Sequence, residues 1–111
     1  MYNLIPKPAS ITISEGGFLL SNETKIVSGS EGAIRAIGRL LAEYIEQHTK
    51  LNLAVMDAHQ NLGNIHLILN GDTRLGEEGY ELIVDSYGIR IQANSPAGLF
   101  YGIQTLRQII S

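Results

Sequence analysis

The sequence predicts a single α+β domain in which a mixed β-sheet carries two helices on one face. Three observations lead to this fold class. A chain of 111 residues can build one hydrophobic core. Short segments with strand-like alternation of polar and apolar residues are interrupted by two longer segments with helical periodicity. Two helices cannot cover both faces of so wide a sheet, so we expect both on the same face.

The amino-terminal third is predicted to contain short strands. Polar and apolar residues alternate over 10–14, and the Glu-Gly-Gly turn at 15–17 separates them from the apolar run at 18–20. These two segments are therefore predicted to pair as a β-hairpin. Residues 25–27 form a third short extended segment.

An amphipathic helix is predicted over residues 31–48, where apolar and charged side chains occupy opposite sides. Ser30 is the predicted N-cap, because a serine hydroxyl can accept a hydrogen bond from a free backbone N–H of the first turn. The apolar side, which we expect to pack on the sheet, consists of Ile34, Ile37, Leu41, Tyr44, Ile45 and His48.

Two strands with different surroundings are predicted next. Residues 51–55 alternate in a way that indicates one buried face and a position near an edge of the sheet. A polar loop at 57–64 leads to residues 65–69, which are apolar on both faces. This second segment is the predicted central strand.

The last third predicts a hairpin followed by a helix. Strands at 80–85 and 89–93 are joined by so short a connection that they must pair antiparallel, with Gly88 at a positive φ. Ser95 is the predicted N-cap of the second helix and Pro96 its first residue, where a missing N–H costs nothing. The helix is predicted to run to the end of the sequence.

The apolar arc of this second helix is wider than packing on one sheet requires. We therefore predict that the helix also contacts a second domain, through Gly98, Gly102, Thr105 and Ile109. Two explanations for the glycines stay open, since each costs about 1 kcal/mol of helix stability relative to alanine. Either they let the helix lie close to its own sheet, or they let another domain approach.

Composition narrows the possible functions. A net charge of -3 provides no broad positive field, so nucleic acid is not an expected partner. No apolar run approaches the roughly 20 residues of a membrane span. Charged residues amount to 17%, against about 25% in an average domain. Two readings are open: either part of the surface is reserved for a partner, or neutral polar side chains replace charged ones.

Motifs for catalysis or cofactor binding are missing from the sequence. There is no cysteine, and the three histidines, His48, His59 and His66, lack the spacing of a His-Glu-x-x-His zinc site. No glycine-rich phosphate loop and no Gly-x-Ser-x-Gly motif occur. We therefore predict no catalytic, cofactor-binding or metal-binding residue.

Four segments resemble the amino-terminal, non-catalytic domain of glycoside hydrolase family 20 β-N-acetylhexosaminidases. They are Leu-Ile-Pro-Lys-Pro at 4–8, Gly-Tyr-Glu-Leu-Ile-Val at 79–84, Gly-Ile-Arg-Ile-Gln-Ala at 88–93 and the Gly-Leu-Phe-Tyr-Gly-Ile-Gln-Thr-Leu run at 98–106. Similar domains also precede the barrels of families 84 and 67. The resemblance implies a zincin-like fold without a metal, forming a single domain over residues 1–111, and a (β/α)8 catalytic barrel after residue 111.

In such an enzyme, the resemblance implies, the barrel cleaves terminal β-linked N-acetylhexosamine. The substrate's 2-acetamido oxygen acts as nucleophile, assisted by an adjacent Asp-Glu pair. That pair has no counterpart here, because Asp57, Asp72 and Asp85 are followed by Ala, Thr and Ser. The chain alone is therefore predicted to be inactive, with the barrel of the same polypeptide as its partner. The resemblance also implies a secreted or periplasmic enzyme.

Two alternatives belong to other functional classes. A stand-alone carbohydrate-binding module would need an aromatic platform, for which Tyr87 and Tyr101 are the candidates, although direct sugar binding is not expected because tryptophan is absent. A protein-interaction module would use the terminal helix against another protein.

Overall fold

A computed structural model describes residues 9–14, 17–57, 64–69 and 76–110. Strands are β1 (Ala9–Ile13), β2 (Lys25–Val27), β3 (Ala54–Met56), β4 (Asn64–Leu69), β5 (Tyr80–Asp85) and β6 (Gly88–Ala93). Helices are α1 (Gly32–Thr49) and α2 (Pro96–Ile110). The predicted α+β class with a mixed sheet is confirmed.

The described strands form one sheet in the order β1-β5-β6-β4-β2-β3. Strands β5 and β6 pair antiparallel as the predicted hairpin, and every other neighbouring pair is parallel. β4 lies between β6 and β2, which confirms its central position, and β3 lies at an edge as predicted. Gly88 has the predicted positive φ, at 143°.

Alternate residues of the strands point toward the helices and form the core. Leu67, Ile91 and Leu82 are aligned across β4, β6 and β5, and each is at most 5% exposed. The glycines of both helices identify the covered face: Gly38 of α1 lies against Ile26 and Leu67, and Gly102 of α2 lies against Ile91. Both helices therefore pack on the same face of the sheet, as predicted.

The predicted hairpin between residues 10–14 and 18–20 is wrong. β1 pairs parallel with β5, so that Ile11 and Ile13 align with Leu82 and Val84. Residues 18–20 are not in a strand, and Phe18 and Leu20 are half-buried against the core. The free edge of β5 thus supplies β1 with a partner of matching alternation, which the sequence neighbour at 18–20 does not.

Two predicted boundaries also differ from the structure. The N-cap of α1 is Glu31, without a side-chain capping hydrogen bond, so Ser30 lies one residue too early. β3 begins at Ala54, whereas the predicted strand began at residue 51. Residues 50–53 instead form the connection from α1 to β3. In this connection Lys50 adopts the left-handed conformation, with φ 67°, and the Leu51 N–H donates to Thr49 Oγ1 at 3.1 Å.

The N-cap of α2 is confirmed and anchors the helix to a distant loop. Ser95 Oγ accepts a hydrogen bond from the Gly98 N–H at 3.3 Å and donates to the Glu77 carbonyl at 2.5 Å. We expect Ser95→Ala to lower the free energy of unfolding by about 1 kcal/mol, because the first turn of α2 loses its acceptor. Ser30→Ala is the matched control.

Urea unfolding followed by circular dichroism measures this difference. Ser30 caps no helix in the structure, so its replacement is expected to leave the unfolding midpoint unchanged. Equal destabilisation by the two substitutions would contradict the assigned N-caps.

Candidate functional site

The outer side of α2 is almost free of charge. Of the fifteen residues in this helix, Arg107 alone is charged. Helices that face water usually carry several charged residues on the exposed side. The exposed or half-exposed side chains of α2 are instead those of Pro96, Ala97, Phe100, Tyr101, Gln104, Thr105, Gln108, Ile109 and Ile110, together with Arg107. Depletion of charge with enrichment of aromatic residues and arginine is typical of the centre of a protein interface.

A groove between α1 and α2 adjoins this surface. Its volume is about 330 Å³, and we call it the interhelix groove. Leu40 is 49% exposed and Phe100 is 39% exposed, so each helix presents a large apolar side chain beside it. The groove is lined by Leu40, Glu43, Tyr44 and Gln47 of α1 and by Phe100, Ile103, Gln104 and Arg107 of α2.

Arg107 is held in place in the lining of the interhelix groove. Its guanidinium carbon lies 4.3 Å from the centroid of the Tyr44 ring, a cation–π distance. Its Nη1 donates to Gln104 Oε1 at 3.0 Å, and the Tyr44 hydroxyl donates to the Arg107 carbonyl at 3.1 Å. The Tyr44 ring also stacks on His48, with centroids 4.0 Å apart. An arginine fixed in this way loses little conformational entropy when a partner binds it.

Gly98 and Gly102, two of the four residues predicted to form an interdomain face, are buried against the domain's own sheet. A Cβ on Gly98 would lie closer than 3.0 Å to the Gly79 carbonyl oxygen and to Ala93 Cβ. A Cβ on Gly102 would lie equally close to Ile91 Cγ2. The first explanation, close packing on the domain's own sheet, therefore accounts for both glycines.

Thr105 and Ile109, the other two predicted residues, have different surroundings. Thr105 is half-buried, and its Oγ1 is hydrogen bonded to the hydroxyl of the buried Tyr80. Ile109 is 41% exposed. A contact between this side of α2 and a second domain stays a prediction.

A second groove, which we call the terminal groove, lies at the carboxyl end of α2. Its volume is about 420 Å³. It is lined by Ile109 and Ile110 of α2 and by Phe18, Leu19 and Leu20 of the segment between β1 and β2. Leu51, Val84, Ile89, Leu106 and Thr49 complete the described lining. Leu19 is 88% exposed, the largest exposed fraction among the large apolar side chains described.

The open face of the sheet carries a smaller cavity. Its volume is about 240 Å³, and it is lined by His66, Asp85, Tyr87 and Arg90, among others. Asp85 already accepts the Tyr87 N–H at 2.9 Å and lies 3.9 Å from the Arg90 guanidinium, so its carboxylate stabilises the hairpin turn. His59 lies outside the described residues.

Within the described residues, no three His, Cys, Asp or Glu side chains are grouped in a way that could hold a metal ion. Neither described helix has the combination of length and hydrophobicity needed to cross a membrane.

Sequence reasoning missed the interhelix groove. The sequence does show that Arg107 is the one charged residue of α2, which indicates an unusual surface. Helical periodicity alone does not reveal that Tyr44 of α1 lies next to Arg107. That neighbourhood depends on how the two helices pack, which the structure provides.

Comparison with known proteins gives a family match over the full chain. Residues 1–111 match the family described as glycosyl hydrolase family 20, domain 2. The chain is 34% identical over 109 residues to a β-hexosaminidase of Porphyromonas gingivalis and 30% identical over 110 residues to a β-N-acetylhexosaminidase of Cellulomonas fimi. Each alignment covers 97% of this chain.

The solved structure of the family 20 β-N-acetylhexosaminidase from Streptomyces coelicolor A3(2) contains the same fold. It superposes with a TM-score of 0.81 and 35% identity over 94% of this chain. The chain spans only 14% and 22% of the lengths of the two curated relatives and 20% of the solved one. The matched part of each relative is therefore a small domain of a multidomain enzyme.

Proposed function

Because the chain belongs to glycosyl hydrolase family 20, domain 2, we propose that it is the accessory domain of a β-N-acetylhexosaminidase and supports a catalytic (β/α)8 barrel in the same polypeptide. The match over residues 1–111 supports this function, as do relatives that are several times longer than the chain. A stand-alone binding module is not favoured by these relatives.

The outer side of α2, on which Arg107 is the single charged residue, forms together with the interhelix groove the docking surface, which supports a docking role. Burying charged groups without partners is costly, whereas alanine, glutamine, tyrosine and phenylalanine side chains can be removed from water at much lower cost. Arg107 provides the anchor, since Tyr44 and Gln104 orient its guanidinium before any partner binds. Arginine and aromatic residues often contribute most of the binding energy in such interfaces.

The barrel, and not this domain, supplies the chemistry in the proposed enzyme. Retaining cleavage with help from the substrate's acetamido group requires an adjacent Asp-Glu pair, which the chain lacks. The domain instead offers a layer of two helices packed on a sheet. Its proposed contribution is to stabilise the barrel, and to leave the reaction to the residues of the barrel.

An activity assay tests this division of labour. We expect the complete gene product to release 4-nitrophenol from 4-nitrophenyl N-acetyl-β-D-glucosaminide, and the chain of residues 1–111 to release none above the uncatalysed rate. Hydrolysis by the 111-residue chain would contradict an accessory role. A complete gene product that is folded but inactive would contradict the proposed parent activity.

A further inference from the structure

Residues 17–20 lie outside the sheet, both helices and the interhelix groove, so their apolar composition has another cause. They carry three consecutive large apolar side chains, Phe18, Leu19 and Leu20, yet belong to no strand. Phe18 and Leu20 pack against the core, whereas Leu19 stays 88% exposed. Ile13, which neighbours the groove residue Val84 in the sheet, is 51% exposed. Exposed large apolar side chains beside an apolar groove are typical of a contact with another protein surface.

The terminal groove beside Leu19 is suited to an apolar occupant. Thr49 contributes the sole polar side chain in its described lining. That hydroxyl donates to the Ile45 carbonyl at 2.7 Å and accepts the Leu51 N–H at 3.1 Å. Both partners are within the domain, so the groove offers an incoming group apolar walls and little hydrogen bonding. An aliphatic side chain meets those requirements better than a polar or charged one.

The position of the groove identifies the occupant. Its wall contains Ile109 and Ile110, the last described residues of α2. In the proposed enzyme, where the barrel follows residue 111, the polypeptide leaves this domain beside the groove, and the matched region is only 14% and 22% of the two relatives. A segment that begins at the groove reaches it without the loop-closure cost of a distant one.

We infer that the terminal groove is a docking site for the beginning of the catalytic barrel, where an aliphatic side chain of the segment after residue 111 packs between Leu19 and Ile109. The inference rests on the proposed function and adds to it a second contact, distinct from the interhelix groove. Leu19 then becomes buried in the complete protein although it is exposed in this domain.

Cysteine labelling tests the inference in the complete gene product. We would prepare Leu19→Cys and, as a matched control, Tyr87→Cys, because Tyr87 is 66% exposed and lines neither the terminal nor the interhelix groove. Each protein is treated with N-ethylmaleimide, natively and in urea, and modification at the position is followed by mass spectrometry of its peptide. The native rate divided by the unfolded rate corrects for intrinsic reactivity.

The expected result is a corrected rate for Leu19→Cys at least about tenfold below that for Tyr87→Cys, since a docked segment excludes the reagent. Equal rates would overturn the inference. Protection that disappears on dilution to nanomolar concentration would also overturn it, because the occupant would then be a second copy of the protein.

A third variant, Leu40→Cys, separates the inference from the proposed function. Protection at Leu40 without protection at Leu19 would overturn the terminal contact and leave the docking role in place. Exposure at both positions would overturn both.

Discussion

Replacing Gly98 by alanine is expected to lower the free energy of unfolding by about 3 kcal/mol, at the upper end of the usual cost of overpacking. The added Cβ would meet the Gly79 carbonyl oxygen, which belongs to the backbone, and Ala93 Cβ, which cannot rotate away. A clash with the far end of a flexible side chain is often relieved by rotation of that side chain. A backbone oxygen and an alanine Cβ cannot rotate away in this manner. The helix or the sheet would have to move.

The start of α2 has little freedom to make that movement. Ser95 Oγ donates to the Glu77 carbonyl, and Asn94 Nδ2 donates to the Gly76 carbonyl at 2.9 Å. These two hydrogen bonds fix the residues before the helix to the loop that precedes β5. A shift of α2 away from Gly79 would therefore break the hydrogen bonds from Asn94 and Ser95 to this loop, as well as the helix–sheet packing.

Urea titration of the 111-residue chain gives the free energy of unfolding, with Gly32→Ala as the matched control. A Cβ on Gly32 meets nothing within 4 Å, and alanine favours a helix by up to about 1 kcal/mol over glycine. The control is thus expected to be neutral or stabilising. A Gly98→Ala variant as stable as the original chain would show that α2 does not depend on this close approach.

Local features of the fold could be predicted because they depend on neighbouring residues. The β5–β6 hairpin follows from a short connection between two alternating segments, and the start of α2 follows from Ser95 and Pro96. The partner of β1 could not be predicted in this way. Parallel pairing of Ile11 with Leu82 joins distant parts of the chain, whereas the apolar run at 18–20 is close in sequence and follows a turn signal.

The candidate site could not be predicted from helical periodicity either. A helical projection shows which residues of α2 share a side, but not which neighbour that side meets. Gly98 and Gly102 were therefore compatible with a second domain, whereas the structure places both against the sheet. The docking surface is recognisable only when the charges of α2 and the packing of Tyr44 on Arg107 are considered together.

Two aspartates placed beside the interhelix groove are expected to separate this domain from the barrel in the complete gene product. In the double variant Leu40→Asp with Phe100→Asp, docking would bury two carboxylates in a groove whose described lining carries no net charge, since it contains one cation, Arg107, and one anion, Glu43. The two carboxylates together exceed the single positive charge available, at a cost of roughly 3 kcal/mol or more. We expect the single thermal transition of the complete protein to split into two, with the domain unfolding first. Differential scanning calorimetry measures this directly.

The charged side of α1 supplies the matched control. Arg39→Asp also introduces an aspartate on the same helix, at an exposed position outside the groove lining. It is expected to leave the single transition intact. In the 111-residue chain the double variant should retain most of its stability, because Leu40 and Phe100 are already 49% and 39% exposed there.

Comparing the double variant in the 111-residue chain and in the complete protein separates an effect on folding from an effect on docking. Loss of stability in both would show that Leu40 and Phe100 support the fold of the domain, whereas loss in the complete protein alone would show that they support its attachment. An unsplit transition in the complete protein would mean that the uncharged side of α2 does not hold the barrel. The low charge of the helix would then reflect neutral polar side chains in place of charged ones, the second reading of the composition.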